Sequence, residues 1–312
     1  MRVVSLLPSA TEIVYALGHG PSVVGVSHEC DFPDDARTKP KMIEPVFDTT
    51  TMGSERIDQL VVEYMKAGRS IYRIKFDELK KVGPDLIITQ ELCDVCAVGT
   101  ADVLEAVNKL ERPVAVLSLN PHTLNDVRGD IRSVGKALGC VDDAERLVTD
   151  LDVKAEAIKR LTAGVRKTRV LCVEWLKPLM NAGHWVPEMV DCAGGFDKFA
   201  VENEPSSYLT WDRVLEYDPE VVVLMPCGFT TERTVREAED FLGMPQAAQL
   251  SAVRNGRVFA TDGHNYFSRS GPRLFDGIRI LAKMLHPELF GELLDPRLGV
   301  EVEVQPRLRA GF

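Results

Sequence analysis

Short apolar runs recur along the chain, and amphipathic stretches separate them. In the first part of the sequence the runs are VVSLL (3–7), VVGVS (23–27), DLIIT (85–89) and PVAVLSL (113–119). Their consecutive apolar positions predict strands that are covered on both faces. The segments between them, such as ERIDQLVVEYMKAG and ADVLEAVNKLE, have the periodicity of helices. This alternation predicts a parallel α/β sheet.

The alternation pauses after residue 122 and then resumes. LNDVRGDIRSVGKALG and the stretch near 142–164 are helical in pattern with no strand between them, and the second would be roughly 35 Å long. Strand patterns then return at TRVLCVEW (168–175), PEVVVLM (219–225) and GRVFATD (256–262). The predicted fold is therefore α/β, with two Rossmann-like lobes that contain parallel sheets and are joined by a single long helix. The predicted domains are an N-terminal lobe (1–122), linker helices (123–165), a C-terminal lobe (166–289) and a tail (290–312).

Charge and hydropathy exclude some classes of protein. The chain has 47 acidic and 37 basic side chains, a net charge of −10, which argues against nucleic-acid binding because phosphate neutralisation needs a basic face. No apolar run approaches the ~20 residues that a membrane span needs. A strand pattern begins within two residues of Met1, without the features of a signal peptide, so we expect a cytoplasmic protein.

Several segments carry a family resemblance. They are, in order, LLPSATEIVYALG with VVGVS, then GPDLIIT, GHWVPEMVDCAGG, LTWDRVLEYDPEVVVLMP and LSAVRNGRVFATDG. Together they resemble the substrate-binding proteins that carry cobalamin, haem and iron–siderophore chelates to ABC importers, and the cobalamin-binding type most closely. The resemblance implies a helical-backbone fold with two lobes, a ligand held in the cleft between them, and no catalysis. Two expectations depart from that family: the first strand is expected to begin without an export signal before it, and cysteines are placed at strand ends.

Four cysteines follow predicted strands. Cys30, Cys93, Cys96 and Cys227 lie on three strand-end loops, and ligands of open α/β sheets bind beyond the carboxyl ends of strands. Thiolates are soft ligands, so convergence of these four would suit an iron–sulfur cluster or zinc. Alternatively, the Cys93–Cys96 pair is a dithiol and the others pack in the core. The remaining cysteines, Cys140, Cys172 and Cys192, are expected to be small buried residues.

Further candidate ligand-binding residues lie near strand ends and in polar, aromatic loops. Trp185 could lie flat on a macrocycle and His184 could coordinate a metal chelate, while a core tryptophan and a capping histidine are the alternatives. Arg269 suits a carboxylate or phosphate of a ligand. Ser9 and Glu12 match a capping box at a helix start that would face the cleft. The full set of candidate ligand-binding residues is Ser9, His28, Glu174, Trp175, His184, Trp185, Tyr266, Phe267 and Arg269.

Three functions remain open from the sequence. The first is a binding clamp for a metal-containing small molecule, a corrinoid or an iron chelate, that works with an ABC importer. The second is a cytoplasmic metal or iron–sulfur protein on the same fold, with a redox or enzymatic role. The third is delivery of zinc or iron. No phosphate loop, HExxH or GxSxG motif is present, so no catalytic residue is predicted.

Overall fold

The computed structural model describes residues 1–91, 100–290 and 294–302. The chain forms two compact units that interleave along the sequence. The first unit comprises Met1–Met52, Gln59–Leu151 and Ser270–Pro272, and the second comprises Gly53–Asp58, Asp152–Arg269 and the residues from Arg273 onward. Both units contain a largely parallel sheet with helices, so the predicted α/β class is confirmed.

The first half of the chain alternates strands and helices. Its strands are β1 (Val3–Ser5), β2 (Val23–Val26), β3 (Ile43–Pro45), β4 (Tyr72–Ile74), β5 (Leu86–Gln90) and β6 (Ala115–Leu119). Its helices are α1 (Pro8–Ala16), α2 (Asp34–Arg37), α3 (Ser54–Lys66), α4 (Phe76–Val82), α5 (Thr100–Asn108), α6 (Leu124–Leu138) and α7 (Val141–Thr162), with a 3₁₀ turn at Gly20–Ser22.

The second half begins with the longest strand of the described chain. Its strands are β7 (Thr168–Trp175), β8 (Met180–Asn181), β9 (Gly195–Phe196), β10 (Val221–Leu224), β11 (Val258–Thr261) and β12 (Gly299–Glu301). Its helices are α8 (Val186–Cys192), α9 (Trp211–Tyr217), α10 (Thr231–Leu242), α11 (Ser251–Arg254), α12 (Gly263–Tyr266) and α13 (Leu274–Leu285), with 3₁₀ turns at Ala247–Gln249 and Pro287–Leu289.

The sheet of the first unit is parallel throughout, in the order β2-β1-β5-β6. Val3 on the central strand β1 pairs with Val23 on one side and with Leu86 on the other. Residues of β1 and β5 such as Val4 and Ile87 are fully buried, as their continuous apolar runs predict. Strands β3 and β4 form a separate antiparallel ribbon. The carboxyl ends of the four parallel strands share one edge of the sheet, which we call the first carboxyl edge.

The sheet of the second unit has a parallel centre and antiparallel margins. Strand β10 pairs in parallel with β7 and β11, while β8 and β12 add antiparallel strands at the two ends. The short strand β9 also pairs with β7, where Thr168 lies opposite Gly195. The ends of β7, β10 and β11 define the second carboxyl edge.

Helices α6 and α7 occupy the interval that the sequence predicts to be free of strands. Helix α6 begins with a capping box in which Thr123 accepts a hydrogen bond from the Asp126 N–H and Asp126 accepts one from the Thr123 N–H. Helix α7 is the predicted long helix, and the boundary between the two units falls within it, after Leu151.

Two local expectations differ from the structure. The Ser9–Glu12 capping box is wrong, because α1 already begins at Pro8 and Leu7 is its N-cap, without a side-chain cap. Part of the predicted tail is ordered against the sheet, since Gly299–Glu301 pairs with β11. Pro8 is a local signal for the start of α1, because proline is favoured in the first turn of a helix. Strand β12, by contrast, is defined by its pairing with β11.

Candidate functional site

At the first carboxyl edge, the thiol of Cys30 is buried in a cradle of hydroxyl groups. Cys30 is 1% exposed, and its Sγ lies 3.1 Å from Thr11 Oγ1 and 3.3 Å from Ser27 Oγ. Thr11 in turn donates to Ser5 Oγ at 2.8 Å. The thiol is thus satisfied by its own unit, and its sulfur does not lie at the surface.

The structure describes two of the four cysteines of the predicted metal site, Cys30 and Cys227. Cys93 and Cys96 lie outside the described residues. Cys227 is half-buried at the second carboxyl edge, where its N–H donates to the Glu174 carbonyl at 3.1 Å. Within residues 1–91, 100–290 and 294–302, no group of three or more His, Cys, Asp or Glu side chains is arranged to hold a metal ion. Of the cysteines expected to be buried, Cys140 and Cys172 are, whereas Cys192 is only half-buried.

His28 follows β2, and its side chain is partly accessible and of a type that binds metals. Its side chain is 24% exposed, and its ring centroid lies 5.4 Å from that of Tyr72 on the β3–β4 ribbon. Its Nδ1 is buried without a hydrogen-bond partner, and its Nε2 lies 3.7 Å from Glu29 Oε1.

The environment of His28 disfavours its charged form. Burial lowers the pKa of the imidazole below its ordinary value, and the ammonium groups of Lys41 and Lys75 lower it further, against the opposing effect of Glu29. The neutral imidazole is the form that can bind a metal.

Ser9 lies in the first turn of α1 and is buried. Its Oγ accepts a hydrogen bond from Ser270 Oγ at 3.3 Å, within the same unit. Ser9 is 3% exposed, so its hydroxyl serves this internal contact.

At the end of β7, Glu174 and Trp175 are both partly buried. Burial raises the pKa of the Glu174 carboxyl above its ordinary value. The Trp175 indole donates to the Ser54 carbonyl at 3.2 Å, and its ring packs against Phe229 with centroids 5.4 Å apart. The end of β7 thus carries an acid and an aromatic ring at successive positions of the chain.

Trp185 and His184 lie at the start of α8, which has Pro187 in its first turn and Gly194 in the left-handed conformation after it. Trp185 is 4% exposed, and its indole donates to the Phe267 carbonyl at 2.8 Å. It therefore matches the core alternative. His184 is half-buried in a left-handed conformation, with φ of +53°.

The loop after β11 is tied together by its own polar groups. Asp262 caps α12 by accepting from the Asn265 N–H at 2.8 Å, and the guanidinium of Arg269 contacts the ring of His264. Arg269 is 6% exposed and Phe267 3%, so both are interior residues.

Tyr266 is the more accessible aromatic residue of that loop. It is half-buried, its ring lies 5.7 Å from the guanidinium carbon of Arg273, and burial raises the pKa of its hydroxyl. It lines a cavity of about 370 Å³ in the second unit. The other residues lining this cavity are Asp276, Arg279, Ile280, Lys283, Leu294, Asp295 and Leu298.

Two aromatic residues at the first carboxyl edge are missing from the sequence-based candidates. Phe32 follows β2 by six residues and is 46% exposed, which is unusual for a phenylalanine. Tyr72 supports the ring of His28. The HECDFP segment contained a signal for the first, since an aromatic residue in a polar strand-end loop has no predicted core partner. Tyr72 could not be found this way, because its proximity arises from the pairing of β3 with β4.

Comparison with known proteins identifies the family of this chain. The periplasmic binding protein family model matches residues 3–264. The chain is 25% identical over 298 residues to the uncharacterised ABC transporter substrate-binding lipoprotein YvrC of Bacillus subtilis, covering 93% of this chain and 82% of that one. It is 24% identical over 286 residues to the vitamin B12-binding protein of Vibrio cholerae, covering 89% and 86%. The fold is similar to that of the periplasmic haem-binding protein RhuT of Roseiflexus sp. RS-1, with a TM-score of 0.68, 23% identity and coverage of 93% and 99%.

These findings correct one expectation and leave another without support. The cytoplasmic location is wrong, because the matching family is periplasmic and a relative is a lipoprotein. None of these three relatives is named for an iron–sulfur cluster or zinc. No helix in the described part of the chain is long and apolar enough to cross a membrane. With a family model that spans most of the sequence and a fold of two α/β units, this chain belongs to the periplasmic binding protein family.

Proposed function

We propose that this protein is the substrate-binding component of an ABC importer and that its ligand is a metal-containing small molecule, either a corrinoid or an iron chelate such as haem. The observation that carries the proposal is the family match over residues 3–264. The ligand class is supported by relatives that are named for vitamin B12 and for haem.

Each unit, considered by itself, offers side chains of the right chemistry at its carboxyl edge. Large, flat macrocycles bind through aromatic contacts and a few placed polar groups. We propose that the accessible candidates contact the ligand directly and that the buried candidates stabilise the loops. The accessible set is His28, Phe32, Glu174, Trp175, His184 and Tyr266. The supporting set is Ser9, Trp185, Phe267 and Arg269.

The burial of the Cys30 thiol argues against a cysteine-bound cluster at the first carboxyl edge. A sulfur atom that already contacts two hydroxyl groups in a buried cradle would have to leave them to bind iron or zinc. The binding role is therefore the better-supported function.

Titration of the purified protein with aquocobalamin, aquocobinamide, haemin and a ferric siderophore tests the proposal. We expect at least one of the first three to bind with a Kd on the order of micromolar or tighter, seen by calorimetry and by quenching of tryptophan fluorescence. Absence of binding for all four at tens of micromolar, on the order of −6 kcal/mol or weaker, would contradict the proposal.

A pair of matched variants locates the site. Phe32→Leu should weaken binding of the preferred ligand, because it removes an exposed ring at the first carboxyl edge. Phe196→Leu should leave binding unchanged, since Phe196 is 51% exposed but pairs with the first residues of β7, at the opposite edge of its sheet. Equal effects of the two substitutions would mean that Phe32 is not in the site.

A further inference from the structure

We propose that Nε2 of His28 binds the metal at the centre of the ligand. This inference rests on the proposed function and adds to it which atom of the protein meets the metal and which chelates can be accepted. His28 follows the last residue of β2 by two positions, at the first carboxyl edge, where open α/β sheets bind their ligands.

Packing against the protein holds the ring of His28 in one orientation. Tyr72 packs against it at 5.4 Å with an interplanar angle of 45°, and the position of Tyr72 is set by pairing of β4 with β3. Nδ1 is buried, so Nε2 is the nitrogen on the accessible side. An imidazole that is packed in this way is already oriented before the metal binds, which reduces the entropy cost of coordination.

Nε2 is available for coordination. Its nearest charged neighbour is Glu29 Oε1 at 3.7 Å, which is longer than a hydrogen bond. The neighbouring soft ligand of the same loop, Cys30, is buried against Thr11 and Ser27. The imidazole is thus the exposed group after β2 that suits iron or cobalt.

Three other histidines have described ring contacts, and one of them, His184, lies in the second unit with its ring centroid 5.6 Å from that of Trp185. His286 is 4% exposed and its Nε2 lies 2.9 Å from the Gly194 carbonyl. The ring of His264 contacts the guanidinium of Arg269. Both belong to the second unit.

Coordination by His28 selects a class of ligand. An imidazole can join the metal only if the chelate leaves an axial position open or filled by an exchangeable water. Haem and corrinoids with a labile axial water satisfy this condition. A ferric siderophore that already supplies six donors does not.

Visible spectroscopy of the full chain with haemin and with aquocobinamide tests the assignment. We expect the wild-type complex to show the band positions of a nitrogen-ligated metal. His28→Gly should remove that signature and weaken binding by at least about 10–100-fold, the range seen when even the outer partners of metal ligands are lost. Free imidazole added to His28→Gly should restore the wild-type spectrum at concentrations too low to ligate the same chelate in protein-free buffer, which would not happen if the defect were merely structural.

Two controls make the outcomes distinct. His19→Gln changes a partly exposed histidine that precedes β2, at the opposite edge of the sheet, and should leave the spectrum unchanged. His28→Gln keeps a polar side chain of similar size, and it should fold like the wild type by circular dichroism yet lose the nitrogen-ligated bands.

An unchanged spectrum and affinity in His28→Gly would overturn the inference while the proposed function stands. Binding of the ferric siderophore alone would also overturn it. Failure of the wild type to bind any of the four chelates would overturn the proposed function itself.

Discussion

At the scale of single residues, the pKa values of two aspartates one turn apart on α6 are shifted in opposite directions. Burial alone would raise the pKa of Asp126, but hydrogen bonds from the His122 and Thr123 N–H groups lower it overall. Asp130 has no such donors at its buried Oδ2. Burial and the nearby Asp126 charge raise its pKa to about 7.

The Asp130→Asn substitution should stabilise the protein at pH 8 and have little effect at pH 4. The pKa of Asp130 is higher in the folded state than in the unfolded state, so the folded state binds the extra proton between about pH 4 and pH 7. Stability contributed by the neutral carboxyl is therefore lost as the pH rises through 7. Removing the charge should recover on the order of 1–3 kcal/mol at pH 8, measured by urea unfolding.

Asp126→Asn is the matched control on the same helix. It removes a carboxylate that accepts two backbone hydrogen bonds, so it should destabilise the protein by about 0.5–2 kcal/mol at pH 8. A gain in stability from both substitutions would show that general charge repulsion, rather than burial of Asp130, is responsible.

At the scale of elements, close approach of α6 and α7 depends on a glycine. A Cβ atom added at Gly135 would lie 2.5 Å from the Cβ of Ala144 on α7 and 3.3 Å from the Cys140 carbonyl oxygen. Gly135 is buried, so the two helices touch here without an intervening side chain. Gly129, on the same helix, has nothing within 4 Å of such an atom.

Gly135→Ala should destabilise the protein, whereas Gly129→Ala should stabilise it. Both gain about 0.5–1 kcal/mol of helix propensity, but only the first forces α6 and α7 apart, at a cost of about 1–3 kcal/mol. Thermal unfolding of the two variants should therefore shift in opposite directions. A rise in Tm for Gly135→Ala would contradict the observed packing.

At the scale of the whole molecule, ligand binding should raise stability by mass action. A ligand that binds only the folded state adds about 2.7 kcal/mol when its free concentration is a hundred times its Kd. We expect aquocobinamide or haemin to raise Tm by roughly 5 °C or more under those conditions, measured by circular dichroism at 222 nm. Metal-free protoporphyrin is the control for haemin, since it has the same flat ring without iron.

An equal shift in Tm with metal-free protoporphyrin would mean that ring contacts alone, rather than the metal, provide the binding energy. Because the chain contains two compact units, the unfolding curve should also be tested for more than one transition.

Much of the architecture could be predicted because the strands are long apolar runs. The run 168–175 matches β7 residue for residue, and the stretch near 142–164 is α7. The two-residue strands β8 and β9 could not be predicted, because their pairing with β7 rather than their own composition defines them.

The candidate site was predicted less completely. Sequence located His28 and Cys30 at a strand end, but it could not tell that one ring is partly exposed while the neighbouring thiol is buried. It also nominated Trp185, whose indole lies in the core. In each case the direction of the side chain determines whether it is accessible. That direction depends on neighbours distant in sequence, such as Thr11, Tyr72 and Phe267.

By itself, the sequence determined the class of fold, the parallel sheets, the long helix and the resemblance to binding proteins, because hydrophobic periodicity is a local property of the chain. Only the tertiary structure decided which candidate residues are accessible and which groups touch. Burial and hydrogen bonding are properties of pairs of residues brought together by folding, and Cys30 shows the difference: its place after β2 can be read from the chain, but its cradle of hydroxyl groups cannot.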